Sequence, residues 1–355
     1  MPQPIVTIVL PTYNRPDVLA YTVRAVIRQS LQAWRLLVIG DHCAAATAEL
    51  LAGFDDPRIH YVNLPERWGE QAGPNSIGMR LADTPYVAML NHDDLWLADH
   101  LQVAIDRLEA SGDELYLGRA AFAQRSEPLP NGGRRPCFTE QNAEQRNLQD
   151  VFTHAWFRFE PTSSWVFRRS LVDRVGAWRP ARELYRVPLQ DWLLRAWRAG
   201  VRTSMGSAVT VLKINTHYQD RSRHSYDWGA REHHWLERLM TGNSCNAMRD
   251  FLQQDLARSA AKGYRSRDPG IVGPNEPRTK HPFAVRLLTP AWAVLFHRTG
   301  LDSYTLYCWL TGKRRGALLR QSLQRRTGEQ LPTRSPDMAA QLRFAQQILT
   351  RQVQD

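Results

Sequence analysis

IVTIVLPTYNRPDVLAYTVRAVIRQSLQAWRLLVIGD, residues 5–41, decides the fold. Ile5 to Leu10 is an uncharged, β-branched run, the pattern of a strand buried on both faces, and Pro11 ends it. Asp17 then stands as a candidate N-cap, and Leu19, Val23, Val26 and Ile27 recur at helical spacing as far as Ser30. Arg35 to Gly40 is a second apolar run, which stops on Asp41. Strand, helix and strand joined by short connections form a βαβ unit, and such a unit dictates a parallel sheet with a right-handed crossover.

Working outward, the alternation continues with a strand over Ile59 to Leu64, a short helix over Asn75 to Ala82 and a strand over Tyr86 to Leu90 that runs directly into Asn91-His92-Asp93-Asp94. Asp41 and Asp93 therefore both stand at C-terminal ends of strands, outside which open α/β sheets bind their ligands. Helical periodicity resumes over Leu97 to Leu108. From Leu115 the pattern is mixed: short strands, a Pro/Gly/Arg-rich loop over Pro128 to Pro136, and helices near Leu148 and Ser170. Pro188 to Gly200 reads as a helix stopped by its glycine, Thr203 to Ile214 as a strand, and residues 220–262 as polar helix. The expected organisation is an α/β domain over 1–262, a linker over 263–282 and a basic, aromatic-rich helical region over 283–355.

The 355 residues, 43% hydrophobic and 23% charged, lie within the globular range and exclude a disordered or fibrous chain. The net charge of +11 is uneven: residues 256–355 hold 17 Lys/Arg against 6 Asp/Glu, and the remainder is neutral. A basic end on a neutral body points to an anionic partner for that end. Cys43, Cys137, Cys245 and Cys308 are too dispersed for a zinc site or a disulfide framework. The N-terminus lacks the basic region and cleavage site of a signal peptide and reads as the first strand of a cytoplasmic protein. No uncharged apolar stretch is long enough to span a bilayer.

The acidic run has a chemical reading. Mg²⁺ and Mn²⁺ take oxygen ligands, commonly one or two carboxylates plus substrate phosphate oxygens. An isolated Asp-Asp pair at a strand end is more often a helix cap, so its company has to decide. Pro11-Thr12-Tyr13-Asn14-Arg15, Asp41, Gly69 with Asn75 and Gly78, His92-Asp93-Asp94-Leu95-Trp96 and Gln190-Asp191-Trp192 stand in an order and at spacings that resemble the family 2 glycosyltransferases, which have the nucleotide-sugar-binding GT-A fold. The similarity runs over residues 4–215 and is strongest in the first 110 residues.

The resemblance implies a Rossmann-like, mostly parallel mixed sheet flanked by helices, and an inverting transfer from a UDP- or dTDP-sugar to a saccharide or lipid-linked acceptor. It implies that Pro11, Thr12, Tyr13 and Arg15 line the base and ribose pocket, that Asp41 holds the base, and that Asn75 and His92 belong to the nucleotide-sugar site. Asp93 would ligate Mn²⁺ or Mg²⁺, and His217 or Arg221 would reach the metal or diphosphate. Asp191 resembles the family's base, a carboxylate that takes the acceptor's proton. Trp165 and Asp94 would face the acceptor. Each has a structural alternative: a turn for Pro11-Thr12, a cap for Asp41, a dipole-favoured helix acid for Asp191 and a core ring for Trp165.

Three positions depart from the family pattern. Asn91 replaces a frequent acid, Pro74 a frequent arginine, and Gln190 an acid beside the base. They motivate a rival reading, a weakened nucleotide-sugar-binding module. At the basic end, Trp292, Phe296, Tyr304, Tyr307 and Trp309 accompany Arg298, Lys313, Arg314, Arg315, Arg320, Arg325 and Arg326. That combination suits peripheral contact with an anionic inner membrane face, ahead of nucleic acid or of packing on the catalytic domain.

Overall fold

The computed structural model describes residues 3–130, 132–142, 148, 161–214, 227–263 and 330–354, with short pieces at 290–291, 294–299, 301, 306, 309–310, 312 and 328. Every residue of β1 (Val6–Thr12) is buried, as a strand covered on both faces requires. Val6, Ile8 and Leu10 join one apolar cluster with Leu19, Val23 and Val26 of α1 (Pro16–Ile27) and Leu101, Ala104 and Leu108 of α4 (His100–Ser111). On the opposite face Val9 joins Met79 of α3 (Ala72–Leu81) and Val87 and Met89 of β4 (Tyr86–Met89). β1 lies between β2 (Trp34–Gly40) and β4, parallel to both, and β2 pairs in parallel with β3 (Ile59–Asn63). The crossover from β2 to β3 carries α2 (Ala45–Ala52).

Asp17 is not the cap of α1. Pro16 is the first helical residue, because its fixed φ suits that position and its missing N–H needs no acceptor. Asp17 sits in the first turn and pairs with Arg15 at 2.8 Å. Helix α3 begins at Ala72, earlier than its periodicity indicates, and Pro74 is accommodated in the first turn, where backbone N–H groups have no intrahelical acceptor.

The second half of the sheet is mixed. β4 pairs antiparallel with β8 (Trp165–Arg168), β8 antiparallel with β6 (Leu115–Pro128), β6 parallel with β9 (Thr203–Ile214), and β9 antiparallel with β5 (Asp94–Trp96). The order is β3-β2-β1-β4-β8-β6-β9-β5, with β7 (Arg134–Gln141) paired to β6 off this path. The loop expected over 128–136 is the tip of the β6–β7 hairpin. A short helix, α5 (Ser170–Val175), follows β8, and α6 (Pro188–Arg198) is followed by Gly200 at φ +67°.

The polar helical stretch beyond β9 is two helices, α7 (Asp227–Thr241) and α8 (Cys245–Ala261). Ser244 separates them, its hydroxyl accepting from the Ala247 N–H at 3.2 Å. Buried Asp255 fastens α8 to β7, taking Arg135 Nη1 at 2.7 Å and the Phe138 N–H at 2.8 Å.

The last helix, α9 (Met338–Gln354), packs on β3 and α3. Its Met338, Leu342, Ala345 and Leu349 recur on one stripe and meet Leu37, Ile39, Val62, Trp68 and Ile77. Phe296 is also fully buried, its ring 4.8 Å from that of Trp197. Both segments belong to the α/β core, although the sequence places them in a separate terminal region; an apolar stripe on one helix cannot reveal which open sheet face it covers. The linker expected over 263–282 lies outside the described residues apart from Gly263.

A Cβ at Gly78 would stand 2.3 Å from Val9 Cγ1 in the middle of this packing. Gly78→Ala should destabilise the fold by about 1–3 kcal/mol, the ordinary cost of overpacking. The measurement is a lowered urea midpoint with unchanged slope; an unchanged midpoint would contradict the α3–β1 contact.

Candidate active site

At the end of β4 the chain turns through Asn91-His92-Asp93 into β5, and side chains from distant elements hold this turn. Thr22 Oγ1 from α1 donates to the carbonyls of His92, at 2.8 Å, and Asp94, at 3.1 Å. His233 from α7 lies 2.8 Å, through Nε2, from the carbonyl of Asp93. Asp94 is completely buried: its carboxylate takes Ser163 Oγ at 2.5 Å, Asn91 Nδ2 at 3.1 Å and Lys213 Nζ at 3.1 Å. Burial pulls the Lys213 ammonium down, but the carboxylates of Asp94 and Asp93 carry it above the ordinary lysine value. Asp94 is thus committed to the interior rather than to an acceptor, since a buried carboxylate must be paired.

Asp93 is half-buried at the same turn, and Asn91 Oδ1 is a buried acceptor with no hydrogen-bond partner among the described residues. Two hard oxygens on one turn fit Mn²⁺ or Mg²⁺, cations that take few protein ligands and complete their shells with phosphate and water. Among the described residues no cluster of three or more His, Cys, Asp or Glu could hold a metal, so a substrate diphosphate would have to supply part of the shell. His92 is half-buried, and desolvation of its ring lowers its pKa.

Asp41 follows β2 directly and is buried, its two carboxylate oxygens accepting the backbone N–H groups of Trp68 at 2.6 Å and Gly69 at 2.8 Å. It fastens the loop between β3 and α3 to the sheet edge. Arg67 from that loop stacks its guanidinium 3.9 Å from the Tyr13 ring centroid. Pro11 and Thr12 are buried at the end of β1, and Arg15 is occupied with Asp17. Asn75 is fully buried in α3, and neither amide atom has a hydrogen-bond partner among the described residues. Such a group is costly unless something satisfies it, which marks the α3 N-terminal turn as a place where a polar ligand would gain.

Asp191 lies in the first turn of α6, nearly buried, with Arg195 Nε at 2.9 Å and Arg179 Nε at 3.7 Å. Arg195 is itself held by the carbonyls of Val175 and of Ala177, the latter at 2.8 Å. Trp192 donates its indole N–H to the Gly176 carbonyl at 2.8 Å and stacks on Trp165 with centroids 5.5 Å apart. Trp165 has no solvent exposure, packed between Trp192 and Trp178. It is a core ring and offers no face to a sugar, because the two indoles of Trp192 and Trp178 occupy the space that stacking would need.

The segment before α6 also touches the donor side. Ser76 of α3 donates to the Trp178 carbonyl at 3.0 Å, and Glu70 accepts the Ala181 N–H at 2.8 Å. The loop held by Asp41 and the segment leading into the helix of Asp191 are thus in direct contact. His217 and Arg221 lie outside the described residues. Thr22, His233 and Arg195 have no local sequence signal, since each acts through the fold; Lys213 could have been found from its register opposite Asp94.

The Glycosyl transferase family 2 model matches residues 7–176, just under half of the chain. TuaG of Bacillus subtilis, whose name links it to teichuronic acid biosynthesis, is 32% identical over 36% of this chain and 51% of its own. The Escherichia coli UDP-Glc:alpha-D-GlcNAc-diphosphoundecaprenol beta-1,3-glucosyltransferase WfgD is 28% identical over 29% of this chain and 41% of its own. The chain spans about half the length of the curated relatives it matches. Among solved structures, Staphylococcus aureus TarS 1-349 in complex with UDP-GlcNAc superposes with a TM-score of 0.48 at 15% identity, covering 72% of each chain.

Burial pushes the Asp41 carboxyl up to about 6, against the Trp68 and Gly69 N–H groups and the Arg67 guanidinium, which favour its ionised form. An unfolded aspartate releases its proton near pH ~4. The folded state therefore binds the extra proton between these values, and the stability that this lends at acid pH is lost as pH rises through about 6. Between pH ~4.5 and ~7 the stability of the wild type relative to Asp41→Asn should fall by roughly 1–3 kcal/mol. Urea midpoints at the two pH values measure it, and a pH-independent difference would contradict the buried, raised carboxyl.

Proposed function

We propose that this chain is an inverting glycosyltransferase that moves a sugar from a nucleoside diphosphate sugar to an acceptor hydroxyl in bacterial surface polysaccharide or glycolipid synthesis. The observation that carries the proposal is the division of labour in the Asn91–Asp94 turn: Asp94 is tied to Lys213 in the interior, while half-buried Asp93 stands on the same turn as Asn91, whose buried Oδ1 has no hydrogen-bond partner among the described residues. The match of residues 7–176 to the family 2 model supports the same reaction class, and the names of TuaG and WfgD support a saccharide or polyprenyl-diphosphate-linked acceptor.

Tyr13 under Arg67, with the loop that Asp41 fastens, forms the floor for the base and ribose, and the unsatisfied amide of Asn75 binds a polar group of the donor. A divalent cation held by Asp93 and Asn91 would offset the charge on the departing diphosphate. In the transfer, the acceptor oxygen bonds to the anomeric carbon as the bond from that carbon to the diphosphate oxygen breaks. Asp191 takes the hydroxyl proton. Asp191 lies beyond the family-matched residues, and its role rests on the geometry: α6 is pinned by the Trp192–Trp165 stack, and Arg195 and Arg179 keep the carboxylate in one orientation. Inversion follows from this single displacement.

Trp309 and Leu310 are 58% and 69% exposed, beside the basic run from Lys313 to Arg326. Exposed apolar side chains next to positive charge support a peripheral contact with an anionic membrane, where a lipid-linked acceptor would be met. No helix among the described residues is long and apolar enough to cross a membrane.

A screen of common nucleotide sugars with Mn²⁺, read as released nucleoside diphosphate, tests the proposal. Asp191→Asn should reduce turnover by about 10²–10⁴-fold, the usual contribution of a general base, in a variant shown to be folded by circular dichroism. Absence of release from every donor with the wild type, or full release by the folded variant, would refute it.

A further inference from the structure

We infer that His233 is a positioning residue for the metal-binding carboxylate of Asp93, acting through the Asp93 backbone; the inference rests on the metal role proposed above. His233 has no solvent exposure, and its Nε2 lies 2.8 Å from the Asp93 carbonyl oxygen. A carbonyl only accepts, so Nε2 carries the proton and donates it.

The contact lies in a braced frame. Thr22 holds the carbonyls on either side of Asp93, at 2.8 and 3.1 Å. Helices α1 and α7, which supply Thr22 and His233, are tied together by Glu237, which receives Arg24 Nε at 2.5 Å and Arg28 Nη1 at 3.0 Å. The Tyr21 ring lies 5.9 Å from the His233 imidazole. Consecutive carbonyls of one turn are thereby satisfied by side chains rather than by sheet or helix partners. Rotation of the peptide after Asp93 would swing the side chain with it, and the His233 hydrogen bond opposes that rotation.

Packing alone would not call for this residue. His233 is fully buried, and a buried polar ring costs free energy unless it is hydrogen-bonded. An aliphatic side chain at 233 could fill the space without that cost. What histidine adds is a donor aimed at one backbone oxygen, that of the residue proposed to hold the cation. This is how groups beyond the ligands tune a metal site.

The test compares His233→Leu, which removes the donor, with His233→Gln, whose amide can donate to the same carbonyl. Mn²⁺ binding is followed by electron paramagnetic resonance with UDP present, alongside the Mn²⁺ dependence of nucleoside diphosphate release. His233→Leu should weaken Mn²⁺ binding roughly tenfold and raise the half-saturating Mn²⁺ by a similar factor. Turnover at saturating Mn²⁺ should stay within about threefold of wild type, and His233→Gln should recover most of the lost affinity. If His233→Leu does not fold, His233→Asn, whose amide falls short of the carbonyl, takes its place. A folded variant with wild-type Mn²⁺ affinity, or a glutamine variant as weak as leucine, would overturn the inference. A wild type that binds no Mn²⁺ and releases nucleoside diphosphate without it would overturn the metal reading itself, and the inference with it.

Discussion

A carboxylate without solvent exposure must find its compensation within hydrogen-bond reach, and Asp94 finds it in Lys213 at 3.1 Å, with Ser163 and Asn91 on its second oxygen. The partners come from β9, from the turn before β8 and from Asp94's own turn. The parallel half of the sheet and its mixed half are therefore joined at one buried charge. Removing either ion would leave the other buried and uncompensated, a loss of about 3–5 kcal/mol, so neither charge can leave for a role at the surface. Asp93, one residue earlier, follows the same braced backbone and is the carboxylate of the pair to which we assign the ligand.

The same economy governs the donor side. Asp41 has the position of a base-binding residue but spends both oxygens on the Trp68 and Gly69 amides. In the proposed function its effect on a nucleotide is exerted through the loop it fastens, including Arg67 over Tyr13. Gly69 has φ +69° and lies beneath Leu331 and Pro332, and Arg182 donates to the Thr333 carbonyl at 2.9 Å. The end of the chain thus covers the loop held by Asp41 and reaches the segment ahead of α6. Residues nearly 300 positions apart in sequence frame one edge of the sheet.

Around Asp191, aromatic packing does the positioning. Trp165, Phe167, Trp178 and Trp192 make a continuous stack between β8 and α6, with centroids 5.2–5.7 Å apart. Burying such rings is among the larger apolar contributions available to a domain, so the register of α6 is strongly determined. Arg195 then spans Asp191 and the carbonyls at the end of α5. Most of the described tryptophans serve the interior, and among them Trp309 is the exposed one.

Much of this was legible in the sequence. The run from Ile5 to Asp41 determined a parallel βαβ start, because β-branched continuity and a 3.6-residue period are local properties that a chain carries wherever it packs. The ordered acids at strand ends marked the edge at which we propose the site, since strand direction alone sets which end of an open sheet binds ligands. What only the tertiary structure decided is the division of roles among chemically identical groups. Asp93 and Asp94 are the same residue type side by side; Lys213, adjacent in the fold and 119 residues away in sequence, makes one of them structural. Trp165 became core and Phe296 joined it because neighbours from distant segments close over them. The partner of a buried charge, and the cover on an apolar face, are set by which segments meet when the chain closes, and no short stretch of sequence contains that information.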